Sequence, residues 1–367
     1  MAEAIEKIRQ NTPYLPDEVI FKILIFVPVK ELHEAMRYVC KQWYDIVSDP
    51  FFARARFRVS TPGFLLQESN NLHQLNYIEA YNSPTPKTLE LQIPYPTKIL
   101  CCLNGLVLLS YSPYIGEIEI FQVINPLTKA KISLPYSFVG LGPYSSSTAG
   151  LAVDSTGHYV VVHVCGENFH VRVFTIGVDK FWRLLDFQGV PVKRASDGSM
   201  KFDRPHCFGR FIYWFNNYPY INSIGLALDV DTETIYLFSV PKGKVKYSSL
   251  LTVVPMETSI GLVDESSILW RAWKLTDVKS NKWTQLARIN VQPVISWVDK
   301  MFYRRNFKPT ILPVSLSKGE IWFYCRVDEL NIVVRYNLTN KSLEFFVLSS
   351  VSYIHPHVNT LVSPMNC

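Results

Sequence analysis

The chain of 367 residues, 48% hydrophobic and 14% aromatic, is long enough for a large buried core and for two or three domains. Its formal charge is a mild +6, and without a basic run or a recognition helix the composition argues against direct nucleic-acid binding. No apolar run reaches membrane-spanning length and no signal peptide precedes Leu15, so an intracellular chain of the nucleus or cytoplasm is expected, with no membrane partner.

Residues 1–13 read as an extension. Apolar residues then fall at Val19, Ile20, Ile23, Leu24 and Val27, and again at Leu32, Ala35, Met36, Val39, Cys40, Trp43, Ile46 and Val47, both series at helical spacing. Pro16 suits the first position of the first helix, and Asp17 and Glu18 set negative charge on the positive end of its dipole. Pro28 ends that helix. The second helix is expected to run to Asp49-Pro50, with Phe51-Phe52 as an apolar anchor and Arg54, Arg56 and Arg58 lining the joint between this unit and the rest of the chain. A helical unit of roughly forty residues is marginal alone, so its apolar surface should find cover on the body behind it or on another protein.

From residue 59 onward the pattern changes to one body. The chain's 23 prolines and 16 glycines, scattered among short runs such as Phe64-Leu65-Leu66, Val160-Val161-Val162 and Ile332-Val333-Val334, predict many short strands and no long amphipathic helix. Turn-like clusters recur at Asn125-Pro126-Leu127-Thr128, Gly177-Val178-Asp179, Asp229-Val230-Asp231, Asp277-Val278-Lys279-Ser280 and Asn337-Leu338-Thr339-Asn340. Each is followed by an apolar return strand: Ile132 to Leu134, Phe181-Trp182, Ile235 to Phe238, Trp283 to Leu286 and Leu343 to Val347. A period of about fifty residues with several strands per unit is the kelch-type signature of a β-propeller, here of roughly six blades.

Candidate chemistry in the body is thin. The seven cysteines, Cys40, Cys101, Cys102, Cys165, Cys207, Cys325 and Cys367, lack zinc-type spacing and read as buried thiols of a reducing compartment. His206-Cys207 and His355-Pro356-His357 are the tight groups of soft ligands, and His158, His163 and His170 share no clean face. There is no Gly-x-Ser-x-Gly elbow; Gly140-Leu141-Gly142-Pro143 lacks a third glycine, and Ser145-Ser146-Ser147-Thr148 reads as a flexible connection. Asp229 and Asp231 fall in a repeat turn, where aspartate caps backbone N–H groups. A non-catalytic chain without metal or cofactor is expected. Phe302, Tyr303, Arg304, Arg305 and Phe307 mix aromatics with cations in the manner of a protein-binding loop and are the candidate substrate contacts.

Leu15-Pro16-x-Glu18-Val19, Ile23-Leu24, Val27-Pro28-Val29-Lys30-x-Leu32 and Val39-Cys40-Lys41-x-Trp43 resemble an F-box, with one extra residue between Leu32 and Val39. The body resembles the associated domain of plant F-box proteins of the kelch-like group through Cys102-Leu103-Asn104-Gly105-Leu106-Val107 and Asn125-Pro126-Leu127-Thr128, although paired kelch glycines are missing. The resemblance implies an α+β multidomain fold: a small all-α F-box over residues 14–58, then an all-β, six-bladed, kelch-like propeller over 59–367. It further implies the substrate receptor of a Skp–cullin–F-box ubiquitin ligase. Leu15, Pro16, Val19, Ile20, Ile23, Leu24, Pro28, Leu32, Val39, Cys40 and Trp43 would then meet a Skp-family adaptor, and through it a cullin and a RING subunit. The alternative in the same assembly is a Skp-bound scaffold or transcriptional cofactor without substrate turnover.

Overall fold

The computed structural model describes residues 15–68, 73–79, 87–89, 96–112, 118–138, 147–165, 170–185, 204–215, 224–239, 241, 251–256, 259–265, 268–301, 310–317, 319–327, 330–348 and 353–365. It opens with α1 (Asp17–Leu24), α2 (Val29–Glu34), a 3-10 turn (Met36–Tyr38), α3 (Lys41–Ser48) and α4 (Pro50–Val59). Pro16 precedes the first helix instead of starting it: its ψ of 149° is extended, and its carbonyl accepts from Val19 and Ile20 N–H. The expected single second helix is three short pieces, broken at Ala35 and at the extended Cys40. A straight helix over that span would be roughly 30 Å long and could not return both ends to one core. The breaks let Leu32 and Val47 meet Ile20, Leu24 and Phe52 in one buried cluster. Asp49 caps α4 through Phe51 N–H at 2.7 Å, with Pro50 as its first residue.

Strands dominate the rest. The first sheet contains β1 (Gly63–Gln67), β2 (Leu75–Glu79) and β3 (Lys87–Leu89). The second contains β4 (Lys98–Leu103), β5 (Leu106–Tyr111), β6 (Ile118–Ile124) and β7 (Lys131–Ser133), with β8 (Ser137–Phe138) added to β6. Four more antiparallel sheets complete the set. They are β9 (Ser147–Val153), β10 (Tyr159–Cys165), β11 (His170–Thr175) and β12 (Arg183–Leu185); then β13 (His206–Phe208), β14 (Phe211–Phe215), β15 (Ile224–Asp229) and β16 (Thr234–Ser239). After these come β17 (Leu251–Met256), β18 (Ser259–Asp264), β19 (Leu269–Asp277) and β20 (Lys282–Asn290), and β21 (Thr310–Ser317), β22 (Glu320–Val327), β23 (Leu330–Asn337) and β24 (Leu343–Leu348). The last strand, β25 (Tyr353–His357), returns to pair with β1 and completes the first sheet.

These six sheets are the blades of a closed ring, because each adjacent pair, the sixth and first included, shares one buried apolar cluster. Inner strands such as β10 and β18 are buried along their whole length, while the fourth strands β7 and β12 are mostly exposed. That difference explains why runs like Val160-Val161-Val162 carry no polar alternation.

The repeat in the sequence is the hairpin between third and fourth strands. Lys129, Gly177, Glu233, Asn281 and Lys341 each take a positive φ there, so the reversal is made mostly without glycine. Asn337 Oδ1 accepts from Thr339 and Asn340 N–H, and Asp229 Oδ1 accepts from Asp231 N–H, as turn caps. Asn104 and Gly105, with φ of 51° and 81°, make the tight turn from β4 to β5.

Four expectations need correction. A ten-residue amphipathic helix, α5 (Gln292–Met301), comes after the fifth blade; Asn290 caps it, and Val294 and Val298 bury into the cluster between the fifth and sixth blades. Phe181 and Trp182 lie ahead of β12 rather than in it, since the Trp182 indole reaches back to Pro135 O at 2.8 Å. Ser147 and Thr148 are not a loose connection but start β9, paired with Cys165 and Val164. Cys40 is exposed, because it lies at the extended residue before α3, and Cys102 and Cys207 are half-buried.

Beyond β25 the chain is held down by buried Asn125. Its Nδ2 donates to Thr360 O at 2.9 Å and Val362 O at 2.7 Å, while its Oδ1 accepts from Leu127 and Thr128 N–H. Replacing Asn125 with Ala orphans its four partners, one in a buried contact and three part-buried, and is expected to cost about 2–4 kcal/mol. Asn125→Asp keeps the two turn bonds and should fall between. Urea unfolding followed by tryptophan fluorescence checks both, and a wild-type midpoint for Asn125→Ala would remove this latch.

Candidate functional site

The helical module buries one side of α1 and shows the other. Ile20, Leu24 and Leu32, expected as docking residues, are instead core, because Val47 and Phe52 close over them. Leu15, Val19, Ile23 and Val39 are exposed, at 48%, 39%, 48% and 59%. Pro16, Pro28 and Cys40 are also exposed, and Trp43 is half-buried against the module core. Phe26 was not among the expected contacts, yet at 76% it is more exposed than Leu15, Val19, Ile23 or Val39. It lies seven residues beyond Val19, so Val19, Ile23 and Phe26 form one stripe along a helical face and its end, a spacing already visible in the sequence.

Polar contacts hold this face in place. Gln42 on α3 donates to Leu15 O at 3.2 Å and to Asp17 Oδ1 at 2.6 Å, bringing the Val39-Cys40 segment to the start of α1. Buried Arg56 donates from Nε and Nη2 to Val27 O, locking α4 to the turn after α1. It therefore faces the module, whereas Arg54 and Arg58 line a cavity of about 290 Å³ against Asn104, Tyr159 and Leu361 of the propeller. Leu361 also packs on the module core.

On the propeller, β4, β13, β17, β21 and β25 wall a central cavity of about 360 Å³. It gathers the Cys101-Cys102 and His206-Cys207 pairs and His355 from three separate parts of the chain. Cys101 and Cys207 share a hydrogen bond, and burial pushes the Cys101 thiol well up. Among the described residues no three of His, Cys, Asp or Glu converge on a metal position. His163 is fully buried between Ser137 Oγ at 2.8 Å and Ser147 Oγ at 2.7 Å, a satisfied core histidine. The carboxylates of Asp229 and Asp231 hold Arg210, each at 3.2 Å. Phe302, Tyr303, Arg304, Arg305 and Phe307 lie outside the described residues.

Comparison with known proteins agrees with this architecture. A family model described as F-box-like matches residues 12–58, and one described as an F-box associated beta propeller domain matches residues 61–363. The chain belongs to the F-box proteins with an associated β-propeller. It is 25% identical over 313 residues to "F-box protein At5g49610" of Arabidopsis thaliana, covering 80% of this chain and 84% of that one. It is also 26% identical over 192 residues to "Putative F-box protein At4g09190" of the same species, 48% of this chain and 47% of that one. A shorter match, 47% over 38 residues, joins it to "F-box DNA helicase 1" of Gallus gallus, covering 10% of this chain and 4% of that one. Among solved structures, TolB from Acinetobacter baumannii aligns with a TM-score of 0.45 at 9% identity, over 82% of this chain and 66% of that one.

Three buried imidazoles give the ring a pH dependence. Burial, with the Arg172 charge, brings His163 down from 6.5 to about 3; burial, with the Arg204 charge first among nearby cations, brings His355 to about 3; and burial brings His357 to about 4. Each binds its proton more readily unfolded, so stability is lost as pH falls from 6.5, by about 1.4 kcal/mol per pH unit for each imidazole. Glu265, raised by burial from 4.5 to about 7, works in the opposite sense over that interval. Three groups outweigh one. The urea midpoint should drop steadily from pH 6.5 towards 4, more gently in His355→Gln; a flat profile contradicts the burial of these imidazoles.

Proposed function

We propose that this chain is the substrate-recognition subunit of a Skp–cullin–F-box ubiquitin ligase. It docks on a Skp-family adaptor through Leu15, Val19, Ile23, Phe26 and Val39 and holds a protein substrate on the propeller. One observation carries the reading. The module completes its own core from Ile20, Leu24, Leu32, Val47 and Phe52 and still leaves an apolar stripe uncovered. Contiguous exposed apolar surface of this kind marks an interaction site.

In this reading the chain is not an enzyme. A cullin and a RING subunit, reached through the adaptor, bring the ubiquitin-carrying enzyme, and the receptor contributes proximity, which turns a bimolecular encounter into an intramolecular one. Proximity needs a stiff span between the two surfaces. The closed ring and the packing of Leu361 on the module core supply it. The chain then works inside the cell, in the nucleus or cytoplasm.

The test separates the exposed stripe from the core. Val19→Asp with Ile23→Asp in the full chain should abolish adaptor capture, a loss of more than about a hundredfold, with an unchanged thermal transition. Leu24→Ala should instead destabilise the module by about 2–5 kcal/mol. Adaptor binding that survives the double substitution refutes the docking face. If adaptor binding persists in the wild type but partner proteins do not accumulate on proteasome inhibition, the chain is a scaffold and not a receptor for turnover.

A further inference from the structure

The central cavity of the ring plays no part in adaptor docking, and its walls have a chemical bias of their own. At about 360 Å³ it falls at the lower end of the range that holds small ligands or single side chains. Most of the wall is apolar, with Pro255, Ile260, Leu312, Pro313 and Ile354 facing inward from three blades. Among the described residues, no aspartate or glutamate lines it, and Arg204 is its one permanently cationic side chain.

Arg204 is held in a set pose. Its guanidinium stacks over the Tyr353 ring at 4.1 Å from the ring centre, and Nη1 lies 3.4 Å from His355 Nε2. Both partners belong to β25, so the closing strand fixes the guanidinium plane. Among the described residues no carboxylate faces Arg204, and stacking plus one contact leaves most of its five N–H donors unused. A stacked, planar fork is preorganised for bidentate capture of a carboxylate. The neighbouring imidazole adds no charge, since His355 stays neutral far below its ordinary range. Glu265 lies behind the wall residue Thr252, bonded to its hydroxyl, and burial raises it to about 7.

A single cation at the rim of an apolar chamber matches a single negative charge on an apolar body. A dianion such as a phosphate monoester carries one charge more than Arg204 alone can pair. We propose that the channel cavity binds an apolar monocarboxylate, with its carboxylate on Arg204 and its body against Pro255, Leu312 and Pro313. Two sources share this chemistry: a free small organic acid, and the C-terminal residue of a polypeptide.

Isothermal titration of the full chain tests the assignment with four probes: 4-phenylbutyrate, its neutral amide, the tripeptide Gly-Gly-Phe as free acid, and phenyl phosphate. The free acid should bind roughly tenfold or more tightly than its amide. Arg204→Gln should erase that preference while leaving the amide, the thermal transition and adaptor capture unchanged. Tripeptide binding of equal strength assigns polypeptide C-termini, and binding of the small acid alone assigns a free metabolite. Equal affinity for acid and amide, an Arg204→Gln variant indistinguishable from wild type, absence of binding by both acids, or tighter binding of phenyl phosphate overturns the proposal. Because adaptor capture is read in the same variant, failure here leaves the ligase reading untouched and is told apart from its failure.

Discussion

Everything in this structure depends on one antiparallel pairing, that of β25 with β1, in which Leu65 sits opposite His355 and Gly63 opposite His357. A blade buries its faces only against its neighbours, so six interblade cores exist only if the ring closes. Without β25, two blades would lose their covering partner, and β1 would present an open edge to other chains. Closure is also made tight by side-chain size. A Cβ on Gly63 would come within 2.3 Å of Ile78 O, and one on Gly105 within 2.0 Å of Thr360 Oγ1, so the seam and the tail beyond it require glycine at both places.

The blade plan could be read from the amino-acid sequence because its signals are local. A third strand, a turn and a fourth strand lie within about twenty residues, and the caps Asn125, Asp229 and Asn337 announce each reversal. What escaped a local reading was decided elsewhere. The left-handed residues Lys129, Glu233 and Lys341 are types that rarely adopt positive φ, so composition does not reveal them. Helix α5 did carry a signal, Asn290 ahead of Pro293 with Val294, Trp297 and Val298 at helical spacing, but a body of short strands concealed it. Trp297 rests on Phe345 of the sixth blade at 4.6 Å between ring centres, which gives that helix its seat.

The helical module shows a different limit of periodicity. Val19 and Ile20, like Ile23 and Leu24, are adjacent and equally apolar, so spacing marks the helix without saying which side faces inward. Phe52, Val47 and Leu361 decide it, from later helices and from the far end of the propeller. The channel was wholly illegible in the same way. Arg204 lies 151 residues before His355, the strand-mate of Tyr353, and only the return of the last strand to the first blade brings the three together.

The position of Leu361 carries a consequence for the order of assembly. The module precedes the propeller in the sequence, but one of the residues packed on its core, Leu361, comes after β25. Chains emerge and fold from the amino-terminal end. The helices therefore gain this contact only once the strands of all six blades and the tail held by Asn125 have been synthesised. A chain interrupted within the propeller carries the whole helical module without Leu361 packed on its core. The fold thus makes the full packing of the helical module depend on residues that follow the whole propeller.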